Sequence, residues 1–496
     1  MTNSTAAQNY APAKNAEQKW KDPSNLQDKM RYLRVLFFVS VCFFILCSYK
    51  LIFLNTQLHY DEAGNYLPAW NWVKHKQYAF TVQNRKVFSR TSSFITIGPY
   101  VGYSLIPFVN LLGTRWHLAR VWIWIHAVIL LTLLYFITQR HFNQKIAILT
   151  VCILTFNSVF ITYSTRIAGE IPAYTSFLLG FWAYKQGSKK KDLFWYLLAA
   201  ISFQISILSK EYFAVLIGLT LLFFWLYIDK RQNTPALWLG ITLPSGVILY
   251  YFLQFRSISM IEEYFAQRQI YNIEFFAFQD DALKWVLTKP LILIGYALHS
   301  IRCYIRKERT DVFLWIFQTL YLFLFLISIG FERFGVGLLI IPSVYIAEFL
   351  IGMSEVPAIS KTYRHMLYII IAAVITQKSP VLLWKVPLQT TTLSLNEYRN
   401  RIIHTSELSI IPLLVEYPYH LPVYPPARFK ERNYGKKYVK EVQEQYLKAD
   451  ILILGEYAFT EYKDVYDKTL IRVYFEKKLQ QGKYEVWIKF NTKSSF

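Results

Sequence analysis

Residues 34–66 have the sequence RVLFFVSVCFFILCSYKLIFLNTQLHYDEAGNY, and this stretch decides the fold. Its first part, 34–54, is an apolar run long enough to cross a bilayer as a helix. Asp61 and Glu62 follow within a few residues of the end of that run. Two carboxylates so close to hydrocarbon are costly unless they face water or a polar site. The stretch therefore predicts a membrane anchor with a polar site at its outer end.

Apolar runs of the same kind recur along the chain, whose 496 residues are 54% hydrophobic and 18% aromatic. One soluble core of this size does not need that composition. Each run is predicted to be a helix, because hydrocarbon offers no partner to an unpaired backbone amide. We predict an all-α polytopic membrane protein with about 11 transmembrane helices. The predicted spans cover residues 34–54, 118–138, 146–163, 171–185, 193–209, 212–228, 235–253, 288–305, 311–329, 335–351 and 365–384.

The positions of lysine and arginine predict the orientation of these helices. Residues 1–33 are polar and basic without a small-residue cleavage site, which favours a retained, cytoplasmic N-terminus. The short connections predicted to lie inside contain fourteen basic residues and the short outer hairpins contain three, an asymmetry typical of cytoplasmic loops. The fourteen are Arg140, Lys145, Lys185, Lys189, Lys190, Lys191, Lys230, Arg231, Arg302, Arg306, Lys307, Arg309, Lys361 and Arg364; the three are Arg166, Lys210 and Arg333.

Residues 94–112 are apolar enough to form a further span, but a crossing there would move the basic run 189–191 to the outside. The charge distribution argues against that crossing. Gly98, Pro99 and Pro107 also interrupt the stretch. We therefore predict helices that lie in, or dip into, the outer interface.

These patterns divide the chain into a cytoplasmic segment (1–33), a transmembrane domain (34–385) with a long outer loop (55–117), and a C-terminal region (386–496). The last region is polar and tyrosine-rich, and its pattern predicts a small α/β domain. Predicted there are strands at 409–415, 451–454, 470–474 and 484–490 and a helix at 438–447. An odd number of spans makes this domain extracytoplasmic, whereas loss of the span at 365–384 would move it to the cytoplasm.

Charged residues also gather in the outer connections. Asp61 and Glu62 either cap a juxtamembrane helix or belong to a site. Glu170, two residues before Pro172, either caps a helix or supplies a second carboxylate to a site shared with Asp61. The pairs Lys210–Glu211 and Glu332–Arg333 are either compensated ion pairs or part of the same site. The candidate residues are Asp61, Glu62, Glu170, Arg166, Lys210, Glu211 and Arg333.

Charged residues at the depth of the lipid headgroups suit an enzyme that transfers a group from a lipid phosphate. Arginine and lysine can hold a phosphate at headgroup level and stabilise the charge that develops as it leaves. A nearby carboxylate can take the proton of an attacking hydroxyl or amine. A glycolipid transporter or flippase is the alternative, but such proteins tend to show repeated halves and ionisable residues at mid-membrane depth. A third alternative is a surface-assembly protein that binds glycolipid without consuming it.

The order of these landmarks resembles the GT-C glycosyltransferases that use polyprenyl-phosphate sugars, such as protein O-mannosyltransferases and the lipid A aminoarabinose transferase. The resemblance covers about residues 30 to 350 and rests on the order of several short motifs. The landmarks are Asp61-Glu62, Gly98-Pro99, Pro107-Phe108, Leu111-Leu112-Gly113, Ala119-Arg120, residues 166–172, residues 208–211 and Glu332-Arg333.

The resemblance implies roles for individual residues. Asp61 corresponds to the catalytic base, with Glu62 as a supporting acid, and Glu170 corresponds to the acid of the second outer hairpin. Lys210 and Arg333 correspond to cations that hold the donor phosphate, and inversion at the anomeric carbon is expected. Several relatives have a Lys-Pro-Pro turn where this chain has Ser89-Arg90-Thr91, so Arg90 is a candidate replacement for that lysine.

The resemblance also implies a polyprenyl-phosphate sugar donor, an extracytoplasmic acceptor and a multi-pass location in the plasma membrane. We expect no required cofactor: the nine histidines are scattered without ligand spacing, and only His59, near Asp61, suggests a divalent metal. The four cysteines fall in or beside predicted spans, so no exported disulfide is expected. Nucleic acid is not expected as a partner, because the basic residues lie in inner loops, where topology and anionic lipid explain them.

Overall fold

A computed structural model of the chain describes residues 23–54, 60–76, 78, 82–83, 86–87, 98–112, 116–227, 245–253, 280–329, 332–355, 403–405, 440, 443–444, 446–455, 458–459, 465–481 and 484–490. Within these ranges the side chains of Asp61, Glu332 and Arg333 are not part of the description. The described part is mostly helical. The predicted span 365–384 and the predicted strand 409–415 lie outside the described residues.

The first helix, α1 (Pro23–Tyr49), continues as a π-helical turn (Lys50–Leu54). The predicted outer loop contains α2 (Tyr60–His75), a ribbon of β1 (Val82–Gln83) and β2 (Lys86–Val87), and α3 (Pro99–Leu112). The amide of Gly98, just before α3, donates to the carbonyl of Ser209 at 3.1 Å. A Cβ at position 98 would lie 2.1 Å from the carbonyl oxygen of Leu208, so only glycine allows this close approach.

Helices α4 to α14 follow in the central part of the chain. They are α4 (Trp116–His141), α5 (Gln144–Thr155), α6 (Ser158–Ser164), α7 (Glu170–Lys190), α8 (Leu193–Ser209), α9 (Tyr212–Tyr227), α10 (Asp280–Leu287), α11 (Pro290–Arg306), α12 (Arg309–Leu324, extended by a π-helical turn Phe325–Ile329), α13 (Glu332–Gly335) and α14 (Gly337–Glu355). Residues 245–253 are also helical. Each predicted apolar run up to 335–351 overlaps a described helix.

Three of the described helices are long and apolar enough to cross a membrane: Met30–Phe53, His117–His141 and Arg309–Ile327. The pair α5 and α6, bent by 75°, forms a fourth candidate when counted together. The bend occurs where the side chain of Asn157 accepts a hydrogen bond from the amide of Phe160 at 3.1 Å and starts a new helix. The chain is thus a helical membrane protein, and the number 11 stays a prediction.

Aromatic side chains form the centre of the helical core. Phe177 on α7 stacks on Phe317 on α12, with ring centroids 3.8 Å apart. Tyr174 meets Phe213 and Tyr321 edge-on at 5.4 and 5.6 Å. All five side chains are fully buried. Each such pair contributes about 0.5–1.5 kcal/mol beyond the burial of its area, so this cluster fixes α7, α9 and α12 against one another.

A polar network closes one end of the helices. Oδ1 of Asp311 accepts hydrogen bonds from Nε2 of His141 at 2.8 Å and from the hydroxyl of Tyr345 at 3.0 Å. Nε of Arg302 donates to Oδ2 of Asp311 at 2.6 Å, and the same guanidinium contacts Glu348. We call these five residues the basal network. The connections after α4 and α11, which the sequence predicted to share one side, meet here.

The C-terminal region contains a four-stranded mixed sheet of order β3-β4-β6-β5. Its strands are β3 (Ile403–Thr405), β4 (Ile451–Leu454), β5 (Phe475–Gln481) and β6 (Tyr484–Lys489). β3 pairs with β4 in parallel, and β6 pairs antiparallel with both β4 and β5. Every side chain of β4 is buried, so both faces of the sheet are covered at this strand.

The structure confirms the predicted strands at 451–454 and 484–490, but the predicted strand at 470–474 is wrong. That stretch belongs to α15 (Lys468–Tyr474). The side chain of Asp467 accepts a hydrogen bond from the amide of Thr469 at 2.8 Å and so caps the helix. The missed strand, β5, begins at the next residue, Phe475. Within the stretch 438–447, residues 440, 443–444 and 446 are helical.

Acid should weaken this sheet through His404 on β3. Burial lowers the pKa of His404 to about 3, and Nε2 lies 3.0 Å from the hydroxyl of Tyr466. The unfolded chain protonates near pH 6.5 and the folded sheet does not, so stability is complete above pH 6.5. It falls by about 1.4 kcal/mol per unit as the pH drops below that value.

We expect amide exchange in β4, corrected for the intrinsic rate, to be faster at pH 5 than at pH 7 in the full-length protein. His404→Gln keeps an acceptor for the hydroxyl of Tyr466 and does not titrate, so it should remove most of this difference. Equal protection of the wild-type strand at the two pH values would contradict the assignment.

Candidate active site

Glu62 and Arg120 form a buried ion pair at the end of the helices opposite to the basal network. Nε and Nη2 of Arg120 donate to the two carboxylate oxygens of Glu62 at 2.8 and 2.7 Å. Both residues are 2% exposed. Nη1 of Arg120 donates to the carbonyl of Leu51 at 2.8 Å, so the pair also anchors the end of the first helix. This two-point geometry uses the fixed fork of the guanidinium.

The same acid joins α2 to the connection between α6 and α7. The amide of Ile167 donates to Oε1 of Glu62 at 3.1 Å. The side chain of Asn65, one turn further along α2, donates to the carbonyl of Ile167 at 2.7 Å. Helix α2 is therefore held to the segment that leads to Glu170. The structure thus brings together the two stretches that the sequence expected to share a site.

Glu170 and Lys210 form a second buried pair beside the first. Nζ of Lys210 lies 3.2 Å from Oε1 of Glu170, and the residues are 7% and 1% exposed, respectively. Neither oxygen of Glu170 makes a hydrogen bond of good geometry within the described part of the chain. Glu170 opens α7, where the helix dipole favours a negative charge. A Cβ at Gly169 would lie 2.3 Å from the carbonyl oxygen of Ser209, so a glycine allows the two connections to touch.

The segment around Phe334 completes the cluster. Nζ of Lys210 lies 5.2 Å from the centre of the Phe334 ring. The hydroxyl of Tyr321 donates to the carbonyl of Phe334 at 2.7 Å and lies 3.3 Å from the hydroxyl of Tyr212. A hydroxyl chain therefore links the start of α9, the end of α12 and the segment that contains Arg333. Four connections that the sequence predicts to lie outside the membrane therefore meet in one polar cluster.

The other predicted site residues lie as follows. The guanidinium of Arg166 sits 5.0 Å from the centre of the Tyr163 ring and is partly exposed. Glu211 is partly buried in the turn before α9. Asp61 lies in α2 directly before Glu62, and Arg333 lies in α13, but their side chains are outside the description. Arg90 and His59 fall outside the described residues.

Two residues of this cluster had no role in the sequence-based site. Arg120 was a landmark of the resemblance and a charged residue at the start of an apolar run, but it was given no role. In the structure it neutralises Glu62. Tyr321 lies inside an apolar helix, where a tyrosine is unremarkable from sequence alone.

Donor atoms suited to a metal occur together at the other end of the molecule, where one atom each of His141, Glu308 and Asp311 lie within 4.8 Å of one another. Arg302 donates to both carboxylates there, at 2.6 Å to Asp311 and at 3.5 Å to Glu308. The guanidinium already supplies the positive charge that these acids need. The arrangement is that of an ion-pair network between helices.

Comparison with known proteins gives one family match for this part of the chain. Residues 98–252 match the family described as dolichyl-phosphate-mannose-protein mannosyltransferase. That match covers α3 to α9, including Arg120, Glu170 and Lys210. No curated protein sequence matches the chain.

The structure is similar to solved structures from Cupriavidus metallidurans and Archaeoglobus fulgidus. ArnT from Cupriavidus metallidurans, bound to undecaprenyl phosphate, has a TM-score of 0.59 at 12% identity over 92% of this chain and 98% of its own. The oligosaccharyltransferase from Archaeoglobus fulgidus in its apo form has a TM-score of 0.57 at 12% identity, over 90% of this chain and 73% of its own. AglB from Archaeoglobus fulgidus, in complex with an inhibitory peptide and a dolichol-phosphate, has a TM-score of 0.52 at 11% identity, over 93% and 75%. The chain therefore has the fold of the GT-C glycosyltransferases.

Proposed function

We propose that this protein transfers a sugar from a polyprenyl-phosphate donor to an extracytoplasmic acceptor, which is a glycolipid, a glycan or a protein. The observation that supports the proposal most strongly is the meeting of α2, the 165–170 hairpin, Lys210 and the Phe334 segment in one polar cluster. A membrane helix bundle does not need four charged or polar connections at one point for folding alone. The fold and the match at 98–252 support the same chemistry.

In the proposed reaction Asp61 is the general base. A hydroxyl or amine of the acceptor attacks the anomeric carbon of the donor sugar while its proton passes to the carboxylate of Asp61. The bond from that carbon to the donor phosphate breaks, and polyprenyl phosphate leaves with the electron pair. Attack opposite to the leaving group inverts the configuration. Glu62 is not suited to take the proton, because Arg120 and the amide of Ile167 already engage its oxygens.

Arg166 is the described cation best suited to the donor phosphate. Lys210 already faces the carboxylate of Glu170 and Arg120 that of Glu62, so both charges are largely compensated. Arg166 has no carboxylate within 4.0 Å among the described residues. Stacking on Tyr163 occupies the face of the guanidinium and leaves its N–H groups for a phosphate.

The remaining candidates have supporting roles in this proposal. Glu170 holds Lys210 beside the site, and Lys210 shares the phosphate charge once the donor has entered. Arg333 and Arg90 add cations from α13 and the outer loop, and Glu211 contacts the acceptor side. The site lies on the extracytoplasmic face of the plasma membrane in this proposal, because the fourteen basic residues of the predicted inner connections mark the other face.

Incubation of the purified protein in nanodiscs with a panel of polyprenyl-phosphate sugars and with glycolipid, glycan and protein acceptors of the cell envelope tests the proposal. We expect one donor to be consumed with release of its polyprenyl phosphate, measured by mass spectrometry. A transporter would instead move the glycolipid between leaflets of a proteoliposome without consuming it. Absence of carrier phosphate release with every donor would reject the transferase.

Arg166→Met should lower kcat/KM for the donor by about tenfold to a hundredfold, the equivalent of one hydrogen bond to a charged group. Steady-state kinetics with the donor varied gives this value. Arg140→Met is a matched control. Arg140 is exposed near the last residue of α4, whereas Arg120 of the polar cluster lies near the first. Similar kinetics for the wild-type and Arg166→Met proteins would show that the phosphate binds elsewhere.

A further inference from the structure

Tyr321 contacts four other elements, and the proposed reaction does not use its side chain directly. Its ring is fully buried and meets Tyr174 on α7 edge-on at 5.6 Å. Its hydroxyl lies 3.3 Å from that of Tyr212 on α9 and donates to the carbonyl of Phe334 at 2.7 Å. A Cβ at Gly337 would lie 2.8 Å from the Tyr321 hydroxyl, so the start of α14 also touches it.

The bond to Phe334 has a structural reason. Helix α13 has only four residues, and the carbonyls at the end of such a helix lack partners within it. A buried carbonyl without a partner is costly, as is a buried hydroxyl. The bond between Tyr321 and Phe334 satisfies both groups and fixes the end of α13 to α12.

The position of α13 matters for the cluster of cations. The Phe334 ring lies over Nζ of Lys210, so it forms one wall around the ammonium while Glu170 forms another. Arg333 directly precedes Phe334 in the chain. A shift of this short segment would therefore move a proposed phosphate ligand and uncover Lys210 in the same step.

We propose that Tyr321 is a positioning residue of the active site, whose hydroxyl holds the Arg333–Phe334 segment against Lys210. The role in catalysis rests on the proposed function, whereas the mechanical link does not. Tyr321 touches neither donor nor acceptor in this proposal. The neighbouring rings of Phe213 and Phe317 fill the same core without a hydroxyl, so packing alone does not require a tyrosine at this place.

Tyr321→Phe removes only the hydroxyl and keeps the ring. Tyr345→Phe is the matched control, because it removes an equally buried hydroxyl that donates to Asp311 in the basal network. Two measurements on the full-length proteins in nanodiscs test the inference: amide exchange of residues 332–337, and kcat and KM for the polyprenyl-phosphate sugar that the wild-type protein uses.

In Tyr321→Phe we expect exchange at 332–337 to accelerate about threefold to tenfold, the equivalent of one neutral hydrogen bond, and KM for the donor to rise by a similar factor. Tyr345→Phe should change neither quantity. Unchanged exchange in Tyr321→Phe would overturn the link, whatever the kinetics. Faster exchange with an unchanged KM and kcat would overturn the positioning role. Faster exchange in a protein whose wild type transfers no sugar would reject the proposed function and support the link alone.

Discussion

Asp61→Asn should abolish sugar transfer while the protein stays folded and inserted in the membrane. Asparagine has nearly the same shape as aspartate but cannot take a proton from the attacking group. A general base contributes about 10²- to 10⁴-fold to the rate, so the residual turnover should be at most a hundredth of the wild-type value. Release of polyprenyl phosphate by the purified variant measures the loss.

Asp192→Asn is the matched control for this change. The side chain of Asp192 accepts a hydrogen bond from the amide of Phe194 at 3.0 Å and caps α8. Asparagine caps a helix as well as aspartate does, so this variant should retain wild-type turnover. Wild-type turnover by Asp61→Asn would count decisively against Asp61 as the base and would direct attention to Glu170.

Glu62→Gln separates the two adjacent acids. The glutamine oxygen can still accept from the amide of Ile167, so α2 remains attached to the second hairpin. Because Glu62 is not the proton acceptor in this proposal, the loss of activity should be much smaller than for Asp61→Asn. In this proposal the neighbouring acids have different tasks, Asp61 in the chemistry and Glu62 in holding α2.

Much of the fold could be predicted because hydrophobic length and charge are local properties of the sequence. The apolar run 193–209 coincides with α8, since bilayer-length hydrophobic segments have few alternatives to a helix. The strand prediction at 470–474 was wrong for a local reason as well. The apolar content of this stretch suits a strand, but the cap formed by Asp467 stabilises a helix. Strands of four or five residues offer too few positions for the pattern to outweigh one capping bond.

The sequence indicated which segments lie on one side, but it could not indicate how their charges pair. The sequence placed Glu62 and Glu170 on one side of the membrane, and the structure joins their segments through Ile167. It could not show that Arg120, 58 residues away, neutralises Glu62, because that contact depends on how α4 packs against α2. Nor could the sequence show that Lys210 forms an ion pair with Glu170. Partner choice among charges is a property of packing, which sequence order does not contain.

Arg120→Met should destabilise the protein strongly. It leaves the carboxylate of Glu62, 2% exposed, without its cation, and breaking a buried pair on one side costs about 3–5 kcal/mol. The thermal unfolding midpoint in detergent should therefore fall, and the yield of folded protein with it. Arg306→Met, which removes an exposed arginine 3.8 Å from Glu308, should leave the midpoint nearly unchanged.

The double variant Glu62→Gln/Arg120→Met decides between two causes of that loss. If the cost arises from the uncompensated charge of Glu62, neutralising it should restore most of the unfolding midpoint, because neither remaining group is ionised. If the cost arises from the lost bond between Arg120 and the carbonyl of Leu51, the double variant should be as unstable as Arg120→Met. A midpoint for Arg120→Met equal to that of the wild type would contradict the buried pair itself. Recovery of stability without recovery of transfer would show that the fixed position of α2, and hence of Asp61, depends on the two-point bond between Arg120 and Glu62.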